Sequence, residues 1–149
     1  MSVFHQYLTP GTVAVSDAAD KRSAISEALS LLASSPRIAD AGAFARGIWA
    51  REDALPTGLG AGIGAPHARL KAVRDPVASF LALRRGIDYD SLDGVPVRLI
   101  LLVGMPEDSQ AEWLRYLAQA ALTFRDASFR RALMDAPDGG ALWDLIRDR

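Results

Sequence analysis

The longest aliphatic run of the chain, at residues 99–103, is the feature that most constrains its fold. Asp93-Gly94 precedes this run and Gly104 follows it, and turn-forming residues at both ends are typical of a buried strand. The run is far shorter than the ~20 apolar residues that a membrane-spanning helix requires. We therefore predict a strand over residues 97–103 inside a folded domain, and no membrane insertion.

Strand-forming and helix-forming segments surround this run. Residues 12–15 and 77–83 are predicted to be strands, and residues 86–89 a connector or a short strand. Apolar residues at helical spacing, with a capping residue before them, predict helices over residues 21–34 and 40–51 and three more that begin near residues 109, 126 and 138. This pattern indicates one layered α/β domain over residues 1–149 and leaves the strand order open.

The helix that begins near residue 109 is the longest. Its predicted buried face consists of apolar residues at helical spacing, namely Leu114, Leu117, Ala118, Ala121 and Leu122. Trp113 lies one position before this stripe. The pattern therefore predicts Trp113 at the edge of the apolar face.

Charge and cysteine content narrow the classes of function. The chain has 17 Lys and Arg against 18 Asp and Glu, so no basic excess indicates binding to nucleic acid or to an anionic membrane. The absence of cysteine excludes disulfides, thiolate metal sites and thiol nucleophiles, and is compatible with a reducing compartment. Residues 1–6 lack the basic and apolar regions of a signal peptide. We expect a cytoplasmic protein.

Residues 56–67 are the least periodic part of the chain, and neither a helix nor a strand is predicted there. Glycines alternate at positions 58, 60, 62 and 64, and such residues can adopt positive φ angles and present N–H groups to an anion. A flexible connector is the alternative interpretation. The match of residues 60–65 to a dinucleotide-binding fingerprint is set aside, because no buried strand precedes it and Pro66 follows it.

His67 ends this loop and is the candidate phosphoryl acceptor. Pro66 restricts the backbone before it, and a neutral imidazole offers one basic nitrogen for attack while its other N–H can bind a carbonyl. A structural or surface role is the alternative. The only other histidine is His5, in the N-terminal segment, so we predict neither a metal site nor a cofactor.

Arg51, at the end of the second predicted helix, is the candidate cationic partner of a phosphoryl group. Its guanidinium stays charged and can hold two phosphoryl oxygens at once. From position alone, two structural roles are equally open. Arg51 could complement the helix dipole, or it could pair with Glu52 or a nearby acid.

Several motifs together resemble the signature of IIA components of the phosphoenolpyruvate-dependent sugar phosphotransferase system. They are Arg51-Glu52, Thr57-Gly58-Leu59-Gly60 and Ile63-Gly64-Ala65-Pro66-His67-Ala68-Arg69. The branch is the mannitol/fructose type, which includes the nitrogen-regulatory IIA proteins. The resemblance continues through Asp93-Gly94-Val95-Pro96-Val97, the loop at Pro106 and Phe129-Arg130-Arg131-Ala132-Leu133, and covers nearly the whole chain. It implies a central mixed β-sheet flanked by helices on both faces.

The resemblance also implies a function. His67 would accept phosphate from a histidine-containing phosphocarrier protein, with Arg51 stabilising the phosphoryl group and a phosphoryl-binding loop formed by Thr57, Gly58, Gly60 and Pro66. A regulatory, nitrogen-regulatory-like role is favoured by the absence of a fused IIB or IIC part and by the opening Leu8-Thr9-Pro10. The target would be a protein such as a kinase, a transporter or a transcription factor. The alternatives are transfer to a IIB component for fructose- or mannitol-type sugar uptake, and a degenerate binding domain that takes no phosphate.

The chain departs from the family pattern at two places. Gly64-Ala65 stands where relatives carry a small residue and then a larger aliphatic one. Trp113-Leu114 stands where most relatives carry His-Leu, and that second histidine faces the phosphoryl site. Our hypothesis is that Trp113 forms a wall of the His67 pocket, and the alternative is that it is only a rim residue of the core.

Overall fold

A computed structural model describes residues 4–149 of the protein. Met1, Ser2 and Val3, which belong to the N-terminal segment considered above, lie outside the described residues. Within residues 4–149, five α-helices surround a six-stranded mixed sheet. In the same part of the chain, no helix has the length and apolar character needed to cross a bilayer.

The helices and strands alternate in blocks along the chain. The helices are α1 (Lys21–Ser30), α2 (Ala41–Ala54), α3 (Gln110–Thr123), α4 (Ala127–Met134) and α5 (Gly139–Ile146). The strands are β1 (Val13–Ser16), β2 (Gly58–Gly60), β3 (Ile63–Gly64), β4 (His67–Leu70), β5 (Val77–Ile87) and β6 (Val97–Pro106). Two short 3-10 segments, Phe4–Tyr7 and Pro10–Thr12, precede β1.

Strand β6 contains the aliphatic run and lies at the centre of the sheet. It pairs antiparallel with β5 on one side, and on the other side it pairs parallel with both β3 and β4. β1 extends the sheet beside β5, and β2 extends it beside β3. The predicted central strand is therefore confirmed, and it continues beyond residue 103 to Pro106.

Both faces of the sheet are covered, which explains why β6 is apolar without alternation. Ile100 packs with α1 and α2 on one face, and Leu101 packs with α3, α4 and α5 on the other. Successive side chains of a strand point to opposite faces, so a strand between two helical layers needs apolar residues at every position. The predicted class, a mixed sheet flanked by helices on both faces, is confirmed.

Aspartates begin four of the helices. Asp20, Asp40, Asp126 and Asp138 each accept a backbone N–H from the first turn of the helix that follows, at donor–acceptor distances of 2.7 to 3.1 Å. A side-chain cap of this kind contributes about 1 kcal/mol to helix stability. The predicted helix starts are thus confirmed. The helix ends differ from the predicted residues 34 and 51, since α1 ends at Ser30 and α2 continues to Ala54.

The buried face of α3 differs from the predicted one. Its buried residues are Trp113, Tyr116 and Ala120. Leu114 and Leu122, from the predicted stripe, are 53% and 56% exposed. Both sets have helical spacing, and the bulkier aromatic set packs against the N-terminal segment, where the Tyr116 hydroxyl donates to the backbone oxygen of Phe4 at 2.7 Å. The predicted buried face is wrong, and Trp113 lies inside the core rather than at its edge.

The glycine-rich segment also differs from the prediction, because it forms short strands. β2, β3 and the start of β4 all fall within or directly after residues 56–67. Gly60 and Gly62 have φ angles of 78° and 83°, which glycine adopts without strain. The oxygen of Gly62 accepts the N–H groups of Arg98 and Leu99 at 2.9 and 3.1 Å. Pairing with β6, and not local propensity, makes this segment extended.

Candidate functional site

His67 is the first residue of β4 and lies opposite Val103 of β6. Its imidazole is half-buried, and Nδ1 lies 2.9 Å from the backbone oxygen of Ala65. A carbonyl oxygen can only accept a hydrogen bond, so Nδ1 carries the proton in the neutral ring. Nε2 then has a free electron pair, and it is the atom that can act as a nucleophile.

The surroundings of His67 favour its neutral form. Burial lowers the pKa of His67 below the ordinary histidine value of 6.5, and the guanidinium groups of Arg51 and Arg69 lower this pKa further. The hydrogen bond to Ala65 and the carboxylate of Glu52 act in the opposite direction but are outweighed. The imidazole is therefore uncharged at neutral pH.

The lowered pKa predicts a pH dependence. Nε2 loses its electron pair when the ring is protonated, so phosphoryl uptake should be constant above pH 6.5 and fall only as the pH drops through the lowered pKa of His67. Unfolding releases the ring into water, where it binds a proton at higher pH than in the fold. The contribution of His67 to stability should therefore decrease as the pH falls below 6.5.

A titration of the His67 ring protons by NMR checks this prediction. We expect the midpoint below 6.5 in the folded protein, and a higher midpoint in an Arg51→Ala variant, which lacks one of the cations that lower it. A midpoint for His67 at or above 6.5 would contradict the assignment of a neutral nucleophile.

The His67 ring opens onto a cleft between α2, β4 and the start of α3. The cleft has a volume of about 380 Å³ and is lined by Gly47, Arg51, His67, Ala68, Arg69, Leu70, Gln110, Trp113 and Leu114. Arg51 and Arg69 thus share one cleft with a neutral imidazole. Guanidinium groups bind the oxygens of phosphoryl groups and carboxylates, so this cleft suits an anion.

Trp113 covers one face of the His67 ring. The centroids of the two rings are 4.2 Å apart, with an angle of 25° between the planes, and Trp113 is 6% exposed. An indole can neither accept a proton nor carry charge at neutral pH, so Trp113 cannot act as an acid or a base. It can fix the imidazole plane and keep water from that face.

Arg51 lies in the last turn of α2, as predicted. Its Nη1 donates to the backbone oxygen of Leu55 at 3.0 Å, which corresponds to the helix-end role considered above. The alternative of an ion pair with Glu52 or a nearby acid is wrong, because the carboxylate of Glu52 pairs with Lys21 and no acid within residues 4–149 forms an ion pair with Arg51. Within residues 4–149, the guanidinium makes no further hydrogen bond to protein, so its remaining N–H groups can bind an anion.

The predicted phosphoryl-binding loop lies outside the lining of this cleft. The N–H and the hydroxyl of Thr57 both donate to Glu52, and the N–H of Ala65 donates to the oxygen of Thr57 at 2.8 Å. Gly58 belongs to β2, and Gly60 lines a different cavity, beside α3. Pro66 accepts the N–H of Val103 through its backbone oxygen. The amides of Thr57 and Ala65 are thus used inside the fold, and the positive charge beside His67 comes from Arg51 and Arg69.

The structure thus brings together His67, Arg51 and Trp113, and it adds two residues for which no part in phosphoryl binding was predicted. Arg69 lies two positions after His67 on β4, and Glu52 is the buried neighbour of Arg51. Two-residue spacing along a strand would have indicated Arg69, but that strand was not predicted. In the described part of the chain, no group of three or more His, Asp or Glu residues could hold a metal ion.

Fold and site together define an α/β domain organised around one histidine in an arginine-lined cleft at the edge of a mixed sheet. The chain belongs to the phosphoenolpyruvate-dependent sugar phosphotransferase system EIIA 2 family, whose model matches residues 6–149. The predicted family is confirmed.

Individual relatives fall in both functional branches of this family. A nitrogen regulatory protein of Pseudomonas aeruginosa is 34% identical over 144 residues, which are 96% of this chain and 94% of that protein. A fructose-specific EIIA component of Haloferax volcanii is 29% identical over 130 residues, 87% of this chain and 84% of that protein. The crystal structure of nitrogen regulatory protein IIA-Ntr from Neisseria meningitidis superposes with a TM-score of 0.83 at 28% identity, covering 97% of this chain and 99% of that one.

Proposed function

We propose that this protein carries a phosphoryl group on Nε2 of His67 and that its phosphorylation state regulates a target protein. The observation that carries the proposal is the hydrogen bond from Nδ1 to the oxygen of Ala65, which leaves Nε2 unprotonated in a cleft lined by Arg51 and Arg69. The donor is a histidine-containing phosphocarrier protein. Family membership and the relatives in the nitrogen-regulatory branch support this choice of donor and role.

The transfer step follows from this geometry. The electron pair on Nε2 attacks the phosphorus of the donor's phosphohistidine, a new N–P bond forms, and the old N–P bond breaks with its electrons returning to the donor imidazole. The proton on Nδ1 stays in its hydrogen bond with Ala65, so no proton has to leave the ring. Arg51 and Arg69 stabilise the charge on the transferring group, which is the main contribution a protein makes to phosphoryl transfer.

A partner has an apolar surface to contact beside the cleft. Leu114 lines the cleft and is 53% exposed, and the exposed stripe of α3 continues from it through Ala118 and Ala121 to Leu122. Burying such side chains against a partner contributes roughly 25 cal/mol for each Å² of apolar surface removed from water. The donor and the target are proposed to approach over this face of α3.

Two alternatives are separated from the proposal by one experiment. Passage of phosphate to a IIB component for fructose- or mannitol-type sugar uptake is supported by the fructose-specific relative. A binding domain that takes no phosphate is suggested by Trp113 in place of the family's second histidine.

The protein is incubated with phosphoenolpyruvate, the first enzyme of the relay and the phosphocarrier protein, and is then mixed with fructose- and mannitol-type IIB proteins. We expect label on His67 that stays there. Rapid loss to a IIB protein indicates sugar uptake, and absence of label overturns phosphoryl carriage.

The stack between Trp113 and His67 predicts an optical signal. A phosphoryl dianion attached to Nε2 lies beside the indole and changes its electric field. We therefore expect phosphorylation to change the fluorescence of Trp113 in a protein where Trp49 and Trp143 are replaced by phenylalanine. The same protein with His67→Ala should show no change on incubation with the relay. An unchanged spectrum in the phosphorylated protein would return Trp113 to a purely structural role.

Substitution of Trp113 extends this prediction to the lifetime of the phosphohistidine. Trp113→Ala exposes one face of the ring to water and should shorten that lifetime several-fold, whereas Trp113→Phe keeps a stacked ring and should preserve it. Because Trp113 is buried, Trp113→Ala should also lower stability by about 3 to 5 kcal/mol. Lifetimes are measured below the melting temperature of the variant. Equal lifetimes in all three proteins would eliminate the pocket-wall hypothesis.

A further inference from the structure

We propose that Glu52 is a positioning residue for phosphoryl acceptance, acting through a chain of hydrogen bonds that selects the reactive tautomer of His67. The inference rests on the proposed function of His67 and adds a residue that touches neither the imidazole nor the incoming phosphate. It follows from three features of the structure: the burial of Glu52, the donors that surround its carboxylate, and the path that leads from one of them to His67.

Glu52 is 1% exposed, and its carboxylate is satisfied by donors from three parts of the chain. Lys21, at the start of α1, lies 2.9 Å from Oε2. The N–H of Thr57 donates to Oε2 at 3.0 Å and the Thr57 hydroxyl donates to Oε1 at 3.0 Å. The hydroxyl of Tyr89 donates to Oε1 at 3.2 Å. A buried carboxylate is tolerated only with such a set of partners, so their geometry is tightly determined.

A continuous path of hydrogen bonds leads from this carboxylate to the imidazole. Glu52 holds Thr57 by both its backbone N–H and its hydroxyl. The backbone oxygen of Thr57 accepts the N–H of Ala65 at 2.8 Å, and the oxygen of Ala65 accepts Nδ1–H of His67 at 2.9 Å. Pro66 has no N–H, so the peptide that carries the Ala65 oxygen cannot be held from its nitrogen. The orientation of this peptide therefore depends on Ala65, whose N–H donates to the backbone oxygen of Thr57.

The end of this path decides which nitrogen of His67 can react. A neutral imidazole exists as two tautomers, and only the one with its proton on Nδ1 leaves Nε2 as the nucleophile. Ala65 is buried, so water has no access to replace its oxygen as the acceptor. If Thr57 is released, the Ala65 oxygen shifts and the preference for the reactive tautomer weakens.

Positioning and simple electrostatics predict opposite outcomes for Glu52→Gln. The Glu52 carboxylate raises the pKa of His67, so removing its charge makes the ring easier to keep neutral. If Glu52 acted through its charge alone, the variant would accept phosphate at least as well as the wild type. If Glu52 acts through Thr57, the variant should be slower, because an amide NH₂ cannot accept a hydrogen bond at either carboxylate position. In place of Oε2 it loses Lys21 and the nearer contact of the Thr57 N–H, and in place of Oε1 it cannot accept from the hydroxyls of Thr57 and Tyr89.

The experiment compares wild type, Glu52→Gln and Asp40→Ala as unphosphorylated, ¹⁵N-labelled proteins and in phosphoryl uptake. Asp40 caps α2, the helix that carries Glu52, but contacts no residue of the path, so Asp40→Ala controls for loss of stability in that helix. Two-bond ¹H–¹⁵N spectra show which ring nitrogen of His67 is protonated. We expect one tautomer, protonated on Nδ1, in wild type and Asp40→Ala, and a mixture in Glu52→Gln.

Phosphoryl uptake should follow the tautomer. We expect the maximal uptake rate of Glu52→Gln to fall at least tenfold, with an unchanged KM for the phosphocarrier protein, while Asp40→Ala stays within twofold of wild type. Thr57→Ala, which keeps the backbone N–H contact and loses the hydroxyl contact, should give a smaller change in the same direction. If Glu52→Gln does not fold, the tautomer and the uptake rate of Thr57→Ala test the inference by themselves.

A single Nδ1–H tautomer in both Glu52→Gln and Thr57→Ala overturns the inference, as does slow uptake without a tautomer change. Failure of the proposed function looks different. In that case wild type takes no label, while the tautomer comparison, which needs no phosphate, still supports or overturns the role of Glu52.

Discussion

Replacing His67 with alanine is expected to abolish phosphoryl uptake and to leave the fold intact. His67 combines an unprotonated nitrogen with a cleft lined by two guanidinium groups. The side chain is half-buried and packs on Trp113, so its removal should cost about 1 kcal/mol of stability, the usual size for a single substitution. Uptake is measured with labelled phosphoenolpyruvate through the relay, and folding is measured by circular dichroism and melting temperature.

The controls use the chemistry of the bond and the second histidine. A phosphohistidine is labile in acid, whereas phosphoserine and phosphothreonine survive it. His5→Ala removes the only other histidine and should retain full labelling. Acid-stable label in the wild type, or any label that persists in His67→Ala, would place the phosphoryl group elsewhere and remove the basis of the proposed function.

Replacing Arg51 with alanine is expected to slow phosphoryl uptake by roughly 10² to 10³-fold, the effect of removing one donor that stabilises charge in a transition state. The cost in stability should be small. Arg51 is only partly buried, and within residues 4–149 its guanidinium makes one hydrogen bond to protein, to the oxygen of Leu55 at the helix end. Losing such a bond costs about 0.5 to 1.5 kcal/mol.

Two variants make this prediction specific to the guanidinium. Arg46→Ala removes an exposed arginine from the same helix, outside the cleft. It should change neither the rate of phosphoryl uptake nor the stability of the protein. Arg51→Lys keeps the charge but loses the planar fork that holds two oxygens, so its rate should lie between those of wild type and Arg51→Ala. A large fall in melting temperature with unchanged uptake would show that Arg51 serves the helix end and not the phosphoryl group.

Local signals in the sequence were sufficient for the class of fold and for much of the site. The capping aspartates set the starts of four helices because a cap acts on the N–H groups of the next turn, a contact over three residues. The run at residues 99–103 marked the central strand because it must be apolar on both faces. The spacing of Arg51, the glycines and His67 indicated the family, which the family model confirms. The roles of His67 and Arg51 stay predictions.

Tertiary contacts determined strands β2 and β3 and the buried face of α3, which the sequence did not predict. Strands β2 and β3 are rich in glycine and have little strand propensity, so they exist only because they pair with each other and with β6. Two stripes of α3 share helical spacing, and only the packing of aromatic residues against the N-terminal segment selects the one that contains Trp113. That selection turns the indole onto His67.

Tertiary contacts also determine the surroundings of Glu52 and Arg69. A charged residue beside Arg51 gives no local sign that Lys21, Thr57 and Tyr89 will surround it, since these donors come from distant parts of the chain. Arg69 reaches the cleft only because β4 forms against β6. Periodicity and capping act over a few neighbouring residues, and they determined the elements. Side chains that meet across the sheet are separated by tens of residues, so only the folded structure determines the site.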